Sequence, residues 1–414
     1  MPRRALVLGL ARSGEAASLA LARRGVEVIA VDCRDTEAAG RLRDDGVEVV
    51  VGAEDPALLD GMDLMVKSPG VPRDAPLVAA ARRNGTTIWS EIELGSRLLR
   101  NPILGVTGTN GKTTTSELLG AIFRAAGKPV SIAGNVGRPL TALDGVVPTD
   151  EWIVCELSSF QLEDIDSFRP QVAVLLNLTP DHLVRHGTFE NYTAAKLRIF
   201  ENQTAEDVAL VPKDFPPIPG AARRVEFAAV DELPAEPRIP GTHNRENAAA
   251  ATAAARVAGI DEGAIAEGLR SFEGVPHRLE LVRDVSGVRF VNDSKATNPE
   301  AAEQALTAYP PGLRLILGGS VKASSFEGLA RTARDRGVAR AYLIGASADE
   351  IAEALSRAGV SFTHAGDLER AVLQALSDAE PGDVVLLSPA CASYDQFEDF
   401  EDRGARFRAI VEAL

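Results

Sequence analysis

The sequence predicts an α/β protein of three domains in series, and three observations predict it. Short β-branched runs alternate with Ala-, Arg- and Glu-rich segments, the pattern of parallel strands joined by crossover helices. A glycine-rich turn runs from an apolar stretch straight into Lys-Thr-Thr-Thr, at residues 105–115. The chain has 414 residues, which at ~150 residues per domain suggests about three units.

In the first domain, residues 1–99, "RALVLGL", "VEVIAVD", "VEVVVG" and "DLMVKSPGV" are runs of strand length. The turn Gly9–Gly14 follows the first run, and Asp32 closes the second. This resembles a dinucleotide fingerprint with Ala11 in place of the middle glycine. Two readings stand open on these residues: a tight strand-to-helix turn, or a nucleotide-diphosphate site at a helix N-terminus.

The second domain, residues 100–274, has "PILGVTG", "DEWIVCELSS" and "PQVAVLLNLT" as its clearest strands. Residues 202–242, rich in Pro, Ala, Glu and Asp, read as loops and short strands. "GTHNRENAAAATAAARVAG" reads as a helix with Gly259 near its end. The third domain, residues 275–414, has strands at "GVRFVNDS", "LRLILGGS", "RAYLIGAS" and "GDVVLLSPA".

Composition narrows the function. Aromatic residues are only 5% of the chain, so Val, Leu, Ile and Ala must build the cores. The net charge of -15 opposes a general nucleic-acid or anionic-membrane binder. It permits an anionic small ligand held by local cations and backbone N–H groups. Cys33, Cys155 and Cys391 are far apart and form no CxxC pattern, which points to a reduced, cytoplasmic setting. "MPRRALVLGLARSG" flows into a glycine turn rather than a signal-peptide core. No apolar stretch approaches the ~18 residues that span a bilayer.

The turn "GVTGTNGKTTTSELL" carries the chemistry. Small residues let backbone N–H groups approach phosphate oxygens, and the following helix adds its positive end. Lys112 is expected at the β- and γ-phosphates, and Thr113 at Mg2+. The position six before Lys112 is Val106, with Gly105 one place too early, so this is not a strict Walker A loop. No NKxD guanine motif is present. The loop by itself leaves open whether the phosphate drives movement, times a switch or activates a molecule.

Read together with the later motifs, the chain resembles the Mur ligase family. The motifs are "SPGVP", "GTNGKTTT", "AGNVG", "ELSSFQL", "NLTPDHL", "AAKLRIF", "HNRENAAAA", "PHRLE", "NDSKATNP", "LGGSVK" and "SPACASYDQFEDFEDRG". They occur in family order over nearly the whole chain, and "DSKATN" with "SPACASYDQF" points to the D-glutamate-adding branch. The resemblance implies a Rossmann-like first domain for a UDP-sugar and a P-loop ATPase domain with a mainly parallel sheet. A doubly wound, Rossmann-like last domain would take the amino acid. It further implies a cytoplasmic monomer of peptidoglycan synthesis that joins D-glutamate to UDP-N-acetylmuramoyl-L-alanine through an acyl phosphate. A sibling using another amino acid, such as L-glutamate, and a non-catalytic nucleotide-binding module are the alternatives.

The resemblance also implies roles for residues. Gly108, Thr109, Asn110, Gly111, Lys112, Thr113, Thr114, Asn247, Arg278 and Asp293 match ATP positions. Ser13, Asp32, Arg34, Ser68, Gly70, Asn135 and His182 match UDP-sugar positions. Lys295, Thr297, Lys322, Ser393 and Phe400 match the D-glutamate pocket. Thr113, Glu156, His182 and Lys196 match the ligands of two Mg2+ ions, with Lys196 carbamylated by CO2 because an ammonium cannot ligate a cation. Lys112, His182 and Lys196 are the implied catalytic set. Cys33 stands where the family often has Thr, Val184 where many members have Asp, and Ser320 where Asp is frequent in the "LGGSVK" segment.

Overall fold

The computed structural model describes residues 2–52, 55–320 and 325–414. They form two compact units. One is Met1–Pro237 with His243–Ser271; the other is Arg238–Thr242 with Phe272–Leu414.

The first unit holds two parallel sheets. Strands β1 (Arg4–Leu8), β2 (Glu27–Asp32), β3 (Glu48–Val51), β4 (Leu64–Lys67) and β5 (Thr87–Ser90) lie in the order β3-β2-β1-β4-β5. Successive strand residues point to opposite faces. Ala5 and Val7 therefore enter one buried cluster with Ala17 and Leu21 of helix Arg12–Ala22. Leu6 and Leu8 enter another with Leu77 and Val78 of helix Pro76–Asn84. Burial on both faces is why these strands read as unbroken apolar runs. The strand order reverses between β1 and β4, so a crevice opens at their carboxyl ends.

Helix Glu91–Leu98 leads into the second sheet, with the Ser90 hydroxyl accepting from Glu93 N at 3.2 Å. This sheet contains β6 (Ile103–Thr107), β7 (Val130–Gly134), β8 (Trp152–Glu156), β9 (Val172–Leu175), β10 (Val208–Pro212) and β11 (Arg223–Phe227). Its order is β11-β10-β9-β6-β8-β7. Strands β10 and β11 fall in the stretch expected to hold loops and short strands. Helix Lys112–Ala125 packs on helix Glu262–Ser271. A side chain at Gly268 would come within 2.5 Å of Ile122, so glycine permits that approach.

The second unit has one six-stranded sheet. Its members are β12 (Glu280–Val285), β13 (Val288–Asn292), β14 (Leu313–Gly318), β15 (Arg340–Ile344), β16 (Phe362–Gly366) and β17 (Val384–Leu387). They lie in the order β12-β13-β17-β14-β15-β16. The strands from β13 to β16 are parallel, whereas β12 runs antiparallel at the edge. Only Ser286 and Gly287 join β12 to β13, both at positive φ (54° and 84°). Two residues suffice for a hairpin and cannot make a parallel crossover. Among the described residues, no helix is long and apolar enough to cross a membrane.

Candidate functional site

The crevice of the first sheet is built around Gly9 and Asp32. Gly9 has φ 89°, and a side chain there would meet Val71 and Ser68 at 2.9 and 3.0 Å. At Gly14 a Cβ would lie 1.9 Å from the Gly9 carbonyl oxygen. Small residues are therefore required for the turn, and Ser68 closes it by donating to Gly9 O at 2.6 Å. Asp32 accepts from Leu10 N at 2.6 Å and from Arg34 N at 3.0 Å. Burial raises its pKa, but these amides, Cys33 and the Arg34 charge outweigh burial and hold it below the ordinary value. Asp32 thus fixes the turn that leads into the helix of Ser13 and the loop that carries Arg34. Gly70 is exposed in the loop after β4.

The phosphate loop connects β6 to helix Lys112–Ala125. Gly111 precedes the helix at φ 83°, with no side-chain cap, and the first turn carries no acidic residue. The helix N-terminus is therefore open to an anion. Asn247 lies against the loop: a Cβ on Gly111 would come 2.2 Å from Asn247 Oδ1. Asn177 pins the loop from β9, its Oδ1 accepting from Asn110 N at 2.9 Å and its Nδ2 donating to Asn110 O at 3.1 Å. The Thr109 hydroxyl receives the Tyr192 hydroxyl proton at 3.0 Å. Thr113 and Thr114 occupy the first helical turn and are both buried.

Two lysines meet at this loop. Lys112 Nζ donates to Gly108 O at 2.8 Å and to Thr109 O at 2.7 Å. Lys196 Nζ donates to the same Gly108 oxygen at 2.7 Å. Lys196 is only 2% exposed. Burial, then the Lys112 charge, push its pKa down to about 6, against opposition from Asp181 and Glu156. Helix Phe189–Leu197 places Tyr192 one turn before Lys196, and Nζ lies 4.9 Å from the centre of that ring.

Glu156 ends β8 in the same neighbourhood. Its Oε1 accepts from Asn135 Nδ2 at 2.9 Å. Its Oε2 is buried and has no hydrogen-bond partner among the described residues. A buried carboxylate oxygen left without a donor is costly, and a hard cation would satisfy it. His182 sits at φ 52°, half exposed, with its ring 4.9 Å from Phe160 and Nε2 3.3 Å from Asp181 Oδ2. Burial above all, with the charges of Lys112, Lys196 and Arg185, lowers its pKa against the opposing pull of Asp181, favouring the neutral ring. Among the described residues no three His, Cys, Asp or Glu side chains cluster as a ready metal cage. The expected donors for a cation are thus the Thr113 hydroxyl, the Glu156 carboxylate and the His182 imidazole, which carries Asp181 beside it, and an anionic Lys196 would add to them.

In the second unit, the loops after β13 and β17 are tied together by Arg403. This residue is fully buried and donates from Nε to Ser294 Oγ (2.9 Å), from Nη2 to Ser294 O (2.8 Å) and from Nη1 to Cys391 O (3.1 Å). Lys295 Nζ lies 5.7 Å from the Phe400 ring centre, and Ser294 Oγ donates to Phe400 O at 2.8 Å. Thr297 follows on the same loop, its N donating to Lys295 O at 2.9 Å. Ser393 is buried in the loop after β17. Lys322 lies outside the described residues.

Asp293 is buried, accepting from Ser388 Oγ at 2.7 Å and from Leu279 N at 3.2 Å. Burial pushes its pKa up to about 7 despite these bonds and the Arg278 charge. Here its carboxyl group shapes the turn that carries Arg278. Asn292, His277 and Gly404 join that packing, with Asn292 Nδ2 2.9 Å from His277 Nδ1 and 3.0 Å from Gly404 O. Ser320 donates to Asp395 at 3.4 Å, so a carboxylate stands beside this position although residue 320 itself is serine.

Sequence reasoning missed Asn177, Tyr192 and Arg403 as site residues. Tyr192 stands four before Lys196, a spacing that puts both on one helix face. Asn177 and Arg403 lay inside quoted motifs but gave no local signal, because their partners are distant in sequence.

Family models match most of the chain. The Mur ligase MurD-like N-terminal domain matches residues 3–90, the Mur ligase middle domain residues 106–231, and the Mur ligase glutamate ligase domain residues 277–391. A UDP-N-acetylmuramoylalanine--D-glutamate ligase of Acidobacterium capsulatum is 43% identical over 99% of this chain and 96% of its own length. One of Solibacter usitatus is 43% identical over 99% and 98%. Among solved structures, MurF ligase from Thermotoga maritima in complex with ADP has a TM-score of 0.62 at 18% identity, covering 93% of this chain and 95% of that one. UDP-N-acetylmuramate-alanine ligase from the same organism scores 0.60 at 19% identity, with 100% of both chains covered. At this identity the two structures speak for the fold.

Proposed function

The chain belongs to the Mur ligase family, and from that premise we infer that it is an ATP-dependent ligase joining D-glutamate to UDP-N-acetylmuramoyl-L-alanine. The observation that carries this reading is the convergence of Lys112 and Lys196 on Gly108 O, beside Glu156, whose buried Oε2 has no hydrogen-bond partner among the described residues. Such a site is made for crowded negative charge.

A carboxylate does not form an amide in neutral water without activation. The phosphate loop would hold ATP through its backbone N–H groups, with Lys112 on the β- and γ-phosphates. Gly108, Thr109, Asn110, Gly111 and Thr114 would line the triphosphate, and Asn247 would contact the adenine end. Ser13, Asp32, Arg34, Ser68 and Gly70 would seat the UDP-sugar, with Asn135 and His182 at its muramyl end. The substrate carboxylate oxygen attacks the γ-phosphorus, and ADP leaves with the electrons of the broken P–O bond. The amine of D-glutamate then attacks the acyl carbon. The tetrahedral intermediate expels phosphate, and the amine loses a proton. Catalysis here is placement and charge neutralisation.

Thr113 and Glu156 would hold one Mg2+ ion, and His182 with a carbamylated Lys196 a second. Bound there, magnesium would draw charge from the phosphate oxygens. A depressed Lys196 pKa supplies the neutral amine that adds to CO2. In the second unit, Lys295 and Lys322 would offset the glutamate carboxylates, with Thr297, Ser393 and Phe400 completing the pocket. Arg278 and Asp293 are assigned to ATP, Asp293 acting through the turn that carries Arg278. The functional domains are residues 1–99, 100–274 and 275–414. The enzyme works as a cytoplasmic monomer on small molecules, without nucleic acid or membrane.

Phosphate release tests the reading. It must depend jointly on UDP-N-acetylmuramoyl-L-alanine and D-glutamate, and L-glutamate must not substitute. Release without either substrate would leave a plain ATPase, and preference for another amino acid would mean a sibling ligase.

A further inference from the structure

Arg185 stands three residues after His182. Its Nη1 donates to Pro69 O at 2.7 Å and its Nη2 to Val71 O at 3.0 Å. These two carbonyls flank Gly70 in the loop after β4. Glycine is the least restrained residue of a chain, so the peptides on either side of it need an outside anchor. A planar guanidinium fork supplies one.

The same guanidinium reaches the second sheet's machinery. Its carbon lies 4.0 Å from the centre of the Phe160 ring. Phe160 in turn packs on His182 at 4.9 Å and stacks on His186 at 5.5 Å, with 19° between the planes. His186 anchors the turn: Nε2 is 3.0 Å from Ser159 Oγ, and Nδ1 is 3.4 Å from Glu163 Oε1. Glu163 also lies 3.4 Å from Arg185 Nη2. A second cation follows the same plan. Buried Lys67 is 2.9 Å from Asp164 Oδ2 and 3.4 Å from Val71 O. The segment after Glu156 thus holds two cations whose far sides grip the loop after β4.

We propose that Arg185 is a positioning residue that latches loop Ser68–Pro72 to Phe160 and His182, so that the two are held in one frame. The functional reading above enters only in saying what the frame is for: a nucleotide-sugar in the first domain and its carboxylate at the phosphate loop. Lysine cannot replace Arg185, because one ammonium cannot fork to two carbonyls and lie flat on a ring.

Hydrogen exchange on the full ligand-free chain tests the latch directly. In Arg185→Ala, peptides covering residues 68–72 and 158–162 should both exchange about 10-fold faster, the scale expected from losing charge-assisted hydrogen bonds. The phosphate loop should stay unchanged. Arg185→Lys keeps the charge and guards against simple misfolding; it should show the same paired loosening with a near-normal melting temperature. Faster exchange in only one of the two segments, or in neither, overturns the latch. Kinetics give the second reading. Arg185→Ala should raise KM for the nucleotide-sugar and lower kcat, each roughly 10-fold, with KM for ATP within about twofold. Phe160→Leu leaves the carbonyl contacts in place and should lower kcat alone. Unchanged kcat in both variants refutes the coupling. If the wild type shows paired protection but no D-glutamate-dependent turnover, the latch stands and the functional reading falls.

Discussion

Lys112 and Lys196 donate to one acceptor, the carbonyl oxygen of Gly108, at 2.8 and 2.7 Å. Two ammonium groups cannot both be neutralised by one uncharged oxygen. The protein relieves the repulsion by lowering the Lys196 pKa to about 6, through burial and then the Lys112 charge. Near neutral pH this favours the uncharged amine, the form that the proposed carbamylation requires.

Lys196→Ala is therefore expected to lower joint substrate-dependent phosphate release by at least roughly 100-fold. Short carboxylic acids should restore part of it by supplying the missing anion, whereas Lys196→Arg should stay inactive. Full activity in the alanine variant would remove Lys196 from the mechanism.

Glu156→Gln keeps the shape and the Asn135 contact but removes the charge. Ligase activity should fall roughly 10²–10³-fold, the scale of a lost electrostatic contact to the reacting group. Thermal stability without metal should hold or rise, because a buried negative charge is gone. Added Mg2+ should raise the melting temperature of the wild type and not of the variant.

Gly111→Ala places a methyl group 2.2 Å from Asn247 Oδ1 on a residue at φ 83°. The expected cost is about 1–3 kcal/mol, read as a lower denaturation midpoint. ATP binding, measured by calorimetry, should fall with it because both the loop and Asn247 are displaced. Gly127→Ala, also at positive φ (64°) but with open space around it, should cost stability without the loss of ATP binding.

Glu91 and Glu93 give opposite pH behaviour from one helix. Glu91 is fully buried; its Oε1 accepts from Thr141 N and Oγ1 at 2.6 and 2.7 Å, and burial raises its pKa to about 7. A raised carboxyl pKa favours folding most at acid pH, and that contribution is lost as pH rises from the unfolded value through about 7. Glu91→Gln should therefore gain in melting temperature relative to the wild type between pH 5 and pH 8. Glu93 is also buried, which raises its pKa. Donors from Asp166 N, Ser167 and Arg97 outweigh burial and leave it lowered. Its contribution is present above the unfolded value and lost as pH falls through the lowered one. Glu93→Gln should cost about 3 kcal/mol near neutrality, and less in acid.

Much of the architecture was legible in the sequence because periodicity and turn chemistry are local. The runs at β1, β2, β3 and β4 were visible, as were the phosphate loop and the helix Thr242–Val257. The short strands β5, β7, β12 and β16 carry no such signal, since four to six residues of mixed character are held by their neighbours rather than by their own pattern. The antiparallel course of β12 follows from a two-residue turn, a local cue that was present and passed over.

The candidate site was legible as residue types in order, through resemblance, and not as roles. The sequence by itself determined the α/β class, the phosphate loop and the membership of Glu156, His182 and Lys196 in one set of motifs. Only the tertiary structure decided that Lys112 and Lys196 share an oxygen, that Glu156 keeps one oxygen unpaired among the described residues, and that Asp293 and Asp32 spend their carboxylates on neighbouring turns. It also decided that Arg185 grips a loop more than a hundred residues away. The reason is physical. A strand or a glycine turn is specified by contacts a few residues long. Protonation state and hydrogen-bond partner are set by burial and by groups that the chain brings together only when it folds.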